Sequence, residues 1–132
     1  MARVSFTLPL PPSVNNMFSG GKQRRFRSAR YEAWATEAKQ MVMVQRAGQE
    51  IFFGNAIRVT LTIWDGAHGD LDNRIKGPLD IMTAMNVWRD DSQVREIIAH
   101  YGNVDGCRIE IEEISGLSTD EAVEEGRRAA SD

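Results

Sequence analysis

The 132-residue chain has the length of one domain and can bury one hydrophobic core. Its 42% hydrophobic and 27% charged residues lie near globular averages, which excludes a disordered, collagenous or repeat-built chain. No apolar run approaches the ~20 residues that span a bilayer, the first residues lack an apolar signal core, and Cys107 is the sole cysteine, which excludes an internal disulfide and a thiolate zinc cluster. A soluble, cytoplasmic protein with no membrane partner is expected.

The net charge of −3 is unevenly spread. Residues 1–46 carry eight Lys/Arg against two Asp/Glu (+6), residues 47–104 five against eight (−3), and residues 105–132 three against nine (−6). Local potential rather than overall charge steers a polyanion, so an acidic tail is compatible with a positive front face.

In chain order, Val4, Phe6 and Leu8 alternate with polar neighbours as in a strand, which Pro9, Pro11 and Pro12 end. A loop follows through Asn15-Asn16, Ser19-Gly20-Gly21 and Lys22-Gln23-Arg24-Arg25-Phe26-Arg27. Ser28 is placed to cap a helix with Tyr31, Trp34, Ala35, Ala38, Met41, Val42 and Gln45 on one stripe, closed near Gly48. Ile57, Val59, Leu61 and Ile63 alternate with Arg58, Thr60, Thr62 and Trp64, the period of a strand with one buried face. The spacing predicts a second helix from about Asp72 to Met85, with Ile75, Leu79, Met82 and Ile81 inward and Asn86 as a left-handed stop. Pro78 must either lie near its first turn or kink it. Val94 to Tyr101 and Arg108 to Ile114 alternate around Gly102-Asn103-Val104-Asp105-Gly106, which reads as a hairpin. Beyond Gly116, Ser118 and Glu121 have capping-box spacing for a short acidic helix or tail. One domain over 1–116 with an acidic tail over 117–132 is expected.

The densest acidic grouping is Gly69-Asp70-Leu71-Asp72-Asn73-Arg74-Ile75-Lys76, followed by Asp80 and Asp90-Asp91. In an extended segment Asp70 and Asp72 point to one side, a spacing that suits magnesium, which takes oxygen ligands and is commonly shared between one or two carboxylates and a substrate phosphate. Lys76, four residues after Asp72, is placed to offset charge building on a phosphate. Capping explains one aspartate, Asp72 at a helix start or Asp90 at a turn, but not four. The cations Lys22, Arg24, Arg25 and Arg27, with Phe26 interleaved and Asn15-Asn16 nearby, fit phosphate contacts and base stacking as well as a solvated surface. His68 and His100 are too few for a histidine metal site, and no nucleophile elbow or Walker-type loop is present.

Three motifs carry a resemblance: Leu8-Pro9-Leu10-Pro11-Pro12-Ser13-Val14-Asn15-Asn16, Asp70-Leu71-Asp72-Asn73 with Lys76 and Asp80, and Asp90-Asp91-Ser92-Gln93-Val94. In this order, from about Val4 to Ile114, the chain resembles the RusA family of Holliday junction resolvases. The resemblance implies an α/β fold, a small mixed sheet with two main helices packed on it, in a homodimer often encoded by phages or prophages. It also implies cleavage of four-way junction DNA with magnesium, manganese substituting. By motif, Asp70, Asp72 and Asp91 would bind the metal and Lys76 would be the catalytic lysine; Asp90 would either join the site or support its neighbour. Ser13, Val14, Asn15 and Asn16, with Gly69, Asn73 and Arg74, would lie against DNA. The expected function is a magnesium-dependent, structure-specific endonuclease making paired symmetric nicks in recombination and repair. The alternatives are a non-catalytic nucleic-acid-binding protein on the same scaffold and a metal-dependent nucleotide phosphohydrolase, against which the basic loop argues.

Overall fold

Residues 3–13, 18–19, 26–67 and 69–114 are described by a computed structural model. They form β1 (Arg3–Leu8), β2 (Phe18–Ser19), β3 (Phe26–Arg27), α1 (Ala29–Arg46), β4 (Ile57–Trp64), α2 (Lys76–Ala84), β5 (Val94–Gly102) and β6 (Cys107–Glu113), with 3-10 turns at Leu71–Arg74 and Asp91–Gln93. The four long strands make a mixed sheet in the order β1-β6-β4-β5, in which only the β4–β5 pair is parallel. The α/β expectation of a small mixed sheet with two helices therefore holds. The basic segment read as a loop contains a two-residue antiparallel ladder, β2 with β3; Val14 to Asn16, Lys22, Arg24, Arg25, His68 and the acidic tail lie outside the described residues.

The expected β5–β6 hairpin does not form. β4 lies between them, paired with β5 on one edge and β6 on the other. Ile57, Val59, Leu61 and Ile63 are all fully buried, so β4 is the strand that most needs both edges of its backbone satisfied. Five residues reach across two strand spacings of about 5 Å each, and Gly102 to Gly106 do so while closing the end of β4: its Trp64 N–H donates to the Gly106 carbonyl at 2.9 Å, and the Asp65 N–H to Gly102 at 3.1 Å. Because local hydrophobic alternation is identical for a hairpin and for this hop, only the competition for the β4 edge decides between them.

The two sheet faces differ in chemistry. Phe6 pairs with Ile109, Val59 with Ile111, Leu61 with Ile109 and Ile63 with Cys107, all buried on one face. The opposite face is held by ion pairs, Arg58 with Glu96 (2.5 Å) and Glu112 (2.6 Å), and Arg3 with Glu110 (2.6 Å). Tyr31, Trp34, Ala35, Ala38 and Val42 of α1 and Ile81 and Met82 of α2 join the buried cluster, so both helices cover the apolar face. Removal from water of each large apolar side chain here is worth about 1.5–3 kcal/mol.

Helix α1 starts where expected, Ser28 Oγ accepting from the Tyr31 N–H at 3.1 Å, and ends at Ala47 in the left-handed region. Gln45 is exposed rather than part of the buried stripe, yet its amide accepts from the Thr7 N–H (2.7 Å) and donates to the Thr7 carbonyl (2.6 Å). It thereby occupies one position on the open edge of β1, a protection against edge-to-edge pairing. The second helix is split, the 3-10 turn Leu71–Arg74 passing through Ile75 into α2. Pro78 is the third residue of α2 and buried, in the first turn where its missing N–H costs little. Asn86 provides the left-handed stop, with φ of 57°. At Gly77 a Cβ would come within 3.1 Å of the Trp34 ring; its absence lets α2 approach α1 closely.

Candidate active site

The acidic segment enters the fold at a change of backbone direction. Gly69 has φ of +98°, a conformation readily taken only by glycine, and its carbonyl accepts from the Tyr101 hydroxyl of β5 at 2.9 Å. Asp70 follows in extended conformation as N-cap of the 3-10 turn, its carboxylate making no capping bond, and is exposed. The backbone turns at Leu71, so the extended spacing that would aim Asp70 and Asp72 to one side is lost.

A cleft of about 360 Å³ opens between α2 and β5, lined by Asp72, Ile75, Lys76, Leu79, Asp80, Asp91, Val94 and Ile97. Three of the four residues expected to be catalytic therefore meet there: Asp72, Lys76 and Asp91. Asp70 stands outside the lining, and Asp80 enters it. Asp80 is the acid that sequence reasoning quoted but did not assign; its signal was the i, i+4 spacing to Lys76, which places both on one face of α2. The Lys76 ammonium lies 3.4 Å from Asp80 Oδ2, in a pair whose side chains are 57% and 23% exposed.

The apolar floor depends on a bulge. The β4–β5 register shifts between Ile57, opposite Val94, and Arg58, opposite Glu96. Strict alternation would put Val94 and Ile97 on opposite faces; the extra residue returns both to the helical face, where both line the cleft. Ile97 stays 44% exposed because β5 is the sheet edge.

The segment after α2 separates two neighbouring aspartates by role. Asp90 turns into a cap: its carboxylate accepts from the Ser92 N–H (3.2 Å) and from the Ser92 hydroxyl. Those bonds, the hydroxyl's first, hold its pKa below the ordinary aspartate value. Gln93, almost fully buried, completes the box by accepting from the Asp90 N–H at 3.0 Å and the Arg89 N–H at 2.8 Å, while donating to the carbonyls of Phe53 (2.7 Å) and Asn55 (3.1 Å). Asp91 is the next residue and faces the cleft. Its Oδ1 accepts from the Thr83 hydroxyl at 2.6 Å, and Thr83 Oγ1 in turn accepts from the indole N–H of the fully buried Trp88 at 2.7 Å.

Arg74, read as a DNA contact, donates through its guanidinium to the Pro11 carbonyl. This bond ties the proline loop after β1 to the 3-10 turn, and that from the Trp34 indole to the Pro9 carbonyl (2.9 Å) ties it to α1. Ser13, half-buried, ends the described part of that loop. Asn73 is half-buried and its N–H donates to the Asp70 carbonyl at 3.1 Å.

The donors in the cleft are carboxylate oxygens, with no thiolate or imidazole among its lining, a set that suits a hard divalent cation. Among the described residues no three His, Cys, Asp or Glu side chains stand close enough to hold one ion between them. Magnesium is ordinarily held by one or two carboxylates plus water and substrate phosphate, so the residues fit a metal completed by the substrate rather than a closed protein cage.

The model of the family Endodeoxyribonuclease RusA matches residues 9–113. The chain belongs to this family. Proteins named crossover junction endodeoxyribonuclease RusA, from Escherichia coli (strain K12) and Shigella sonnei (strain Ss046), are each 30% identical over 94 residues, covering 71% of this chain and 78% of theirs. The protein of that name from Escherichia coli O139:H28 (strain E24377A / ETEC) is 29% identical over the same length. The RusA match takes in the proline loop, both helices, the cleft and the Asp90–Gln93 cap, so the resemblance carried by three short motifs extends over the whole described fold except β1. Among the described residues no helix is long and apolar enough to cross a membrane.

Proposed function

We propose that this RusA-family chain is a magnesium-dependent endonuclease that resolves four-way DNA junctions by phosphodiester hydrolysis, acting in the cytoplasm in recombination and repair. The observation that carries the reading is the cleft in which Asp72, Asp80 and Asp91 meet Lys76, in a chain whose relatives bear the name of a junction endonuclease. Asp72 and Asp91 would hold the metal, with Asp70 on the adjoining turn as a further carboxylate and manganese substituting. Bound there, the ion would activate a water and shield the scissile phosphate. Lys76, held near the cleft by Asp80, places its ammonium to offset charge on the phosphate oxygens in the transition state. Ile75, Leu79, Val94 and Ile97 exclude bulk water beneath that phosphate, which strengthens each of these interactions.

DNA is held by Ser13, Val14, Asn15 and Asn16 of the proline loop, by Lys22, Arg24, Arg25 and Arg27, and by the turn through Gly69 and Asn73. Arg74 acts by fixing the proline loop beside the cleft. A two-fold homodimer suits a junction, because two equivalent strands then meet two identical sites and paired symmetric nicks follow. The edge position of β5, with Ile98 and Tyr101 exposed, supports it.

The test is a labelled synthetic four-way junction and a linear duplex of matching sequence, each with magnesium and with chelator. Paired nicks confined to the junction and dependent on magnesium are expected, and Asp72→Asn should abolish them while junction binding persists. Cleavage by that variant at the wild-type rate overturns the metal assignment; tight binding without cutting by the unaltered protein favours the non-catalytic binding module.

A further inference from the structure

We infer that Thr83, braced by Trp88, is the residue that positions Asp91 for metal binding, so that the hydrophobic core reaches the active-site cleft through one hydroxyl. This rests on the reading of Asp91 as a metal ligand. A threonine hydroxyl has one proton and two acceptor lone pairs. In α2 the ordinary acceptor for that proton is the carbonyl four residues back, and Leu79 offers it at 3.3 Å. The Asp91 carboxylate stands closer, at 2.6 Å, the length of a charge-assisted O–H···O bond. Trp88 settles the direction: its indole nitrogen only donates, so at 2.7 Å from Thr83 Oγ1 it occupies a lone pair and leaves the threonine proton for an acceptor.

Trp88 cannot reorient, being fully buried and bridged through its backbone to Phe53. The chain of bonds therefore runs from a fixed indole through Thr83 to Asp91 Oδ1, leaving Oδ2 as the oxygen for the cleft. A merely structural role would need only the Trp88–Thr83 bond, since that alone satisfies the buried indole. The second bond, to an exposed carboxylate that has water as an alternative, is what a positioning role requires. Outer hydrogen bonds of this kind restrict a ligand to its binding orientation before the ion arrives.

The experiment has two arms. In the first, the indole N–H resonances of the intact protein are followed by NMR during titration with magnesium alone, without DNA. Of the three tryptophans, Trp34 donates to Pro9 and Trp64 is surface-exposed, so the Trp88 resonance, assigned by its loss in Trp88→Phe, should shift with the same saturation as metal binding. In the second, Thr83→Val and Thr83→Ser are compared for magnesium half-saturation, by calorimetry and in junction cleavage. Thr83→Val should weaken metal binding about tenfold, within the range seen for outer-shell changes, and Thr83→Ser, which keeps the hydroxyl, should stay within about twofold of the parent. Metal binding that leaves the Trp88 resonance unmoved overturns the inference, as does an equal loss in the serine and valine variants, which would assign the effect to the methyl group. If magnesium neither binds the free protein nor supports junction cleavage, the metal reading of the cleft fails instead, and the two failures are distinguishable.

Discussion

Replacing Gln93 with alanine should cost more stability than any charged substitution around the cleft. The side chain is 1% exposed and makes four hydrogen bonds, to the Phe53 and Asn55 carbonyls and from the Arg89 and Asp90 N–H groups. Truncation leaves all four backbone groups without that partner. A hydrogen bond of this kind is worth about 1 kcal/mol net, and an abandoned buried group about 1–3 kcal/mol. Arg89, Asp90 and Asn55 are exposed residues whose groups water can partly satisfy, whereas the Phe53 carbonyl belongs to a buried residue. The expected loss is about 3 kcal/mol, a large part of the roughly 5–15 kcal/mol that holds a domain together, and corresponds to a fall of roughly 10 °C in Tm for a chain of this size. Urea unfolding followed by tryptophan fluorescence measures it, with an unchanged m-value required for the comparison. A loss below about 1 kcal/mol would refute the reasoning. Gln93→Glu separates hydrogen bonding from packing: it keeps the volume but turns an acceptor toward two carbonyls. The new carboxyl's pKa is raised on folding, so its cost should be smaller near about pH 5 than near about pH 8.

Burial pushes the Cys107 thiol up to about 12, so a disulfide exchange reagent near about pH 8 should leave the native protein unlabelled and react once it is unfolded; stoichiometric labelling within minutes under native conditions would contradict the buried placement. Asp90 has its pKa lowered on folding, chiefly by the Ser92 hydroxyl. A depressed carboxylate stabilises fully above its unfolded pKa and loses that contribution as pH falls through the folded one, so the difference in urea midpoint between the parent and Asp90→Asn should narrow on acidification below about pH 4. A difference independent of pH would show that the charge plays no part in the cap.

The Asp90–Gln93 segment shows how far a motif can be read. As a string it is two adjacent acids of equal standing beside a serine and a glutamine. In the fold Asp90 and Gln93 form a reciprocal cap, and Asp91 between them accepts from Thr83 of α2 and lines the cleft. Asp90 is the extended N-cap and Asp91 the first residue of the 3-10 turn, so the backbone changes conformation between them and adjacency in sequence hands the two carboxylates to different environments. Asp70 and Asp72 part for a related reason, since the two-residue period that would align them belongs to a strand and the chain leaves that conformation at Leu71.

What the sequence by itself determined are the features governed by short-range forces. The burial of Ile57, Val59, Leu61 and Ile63 follows from period-two alternation, the start of α1 from the Ser28 hydroxyl, the tolerance of Pro78 from its place in a first turn, and the Asn86 stop from the low cost of positive φ for asparagine. The grouping of Asp72 and Lys76 was legible for the same reason. Tertiary structure alone decided where β4 stands, because a strand's partners are chosen by competition for its backbone edges and not by its own pattern. The bulge that turns Val94 and Ile97 onto one face and the diversion of Arg74 to the Pro11 carbonyl were likewise decided there. Each depends on contacts between residues far apart in the chain, for which local sequence carries no signal.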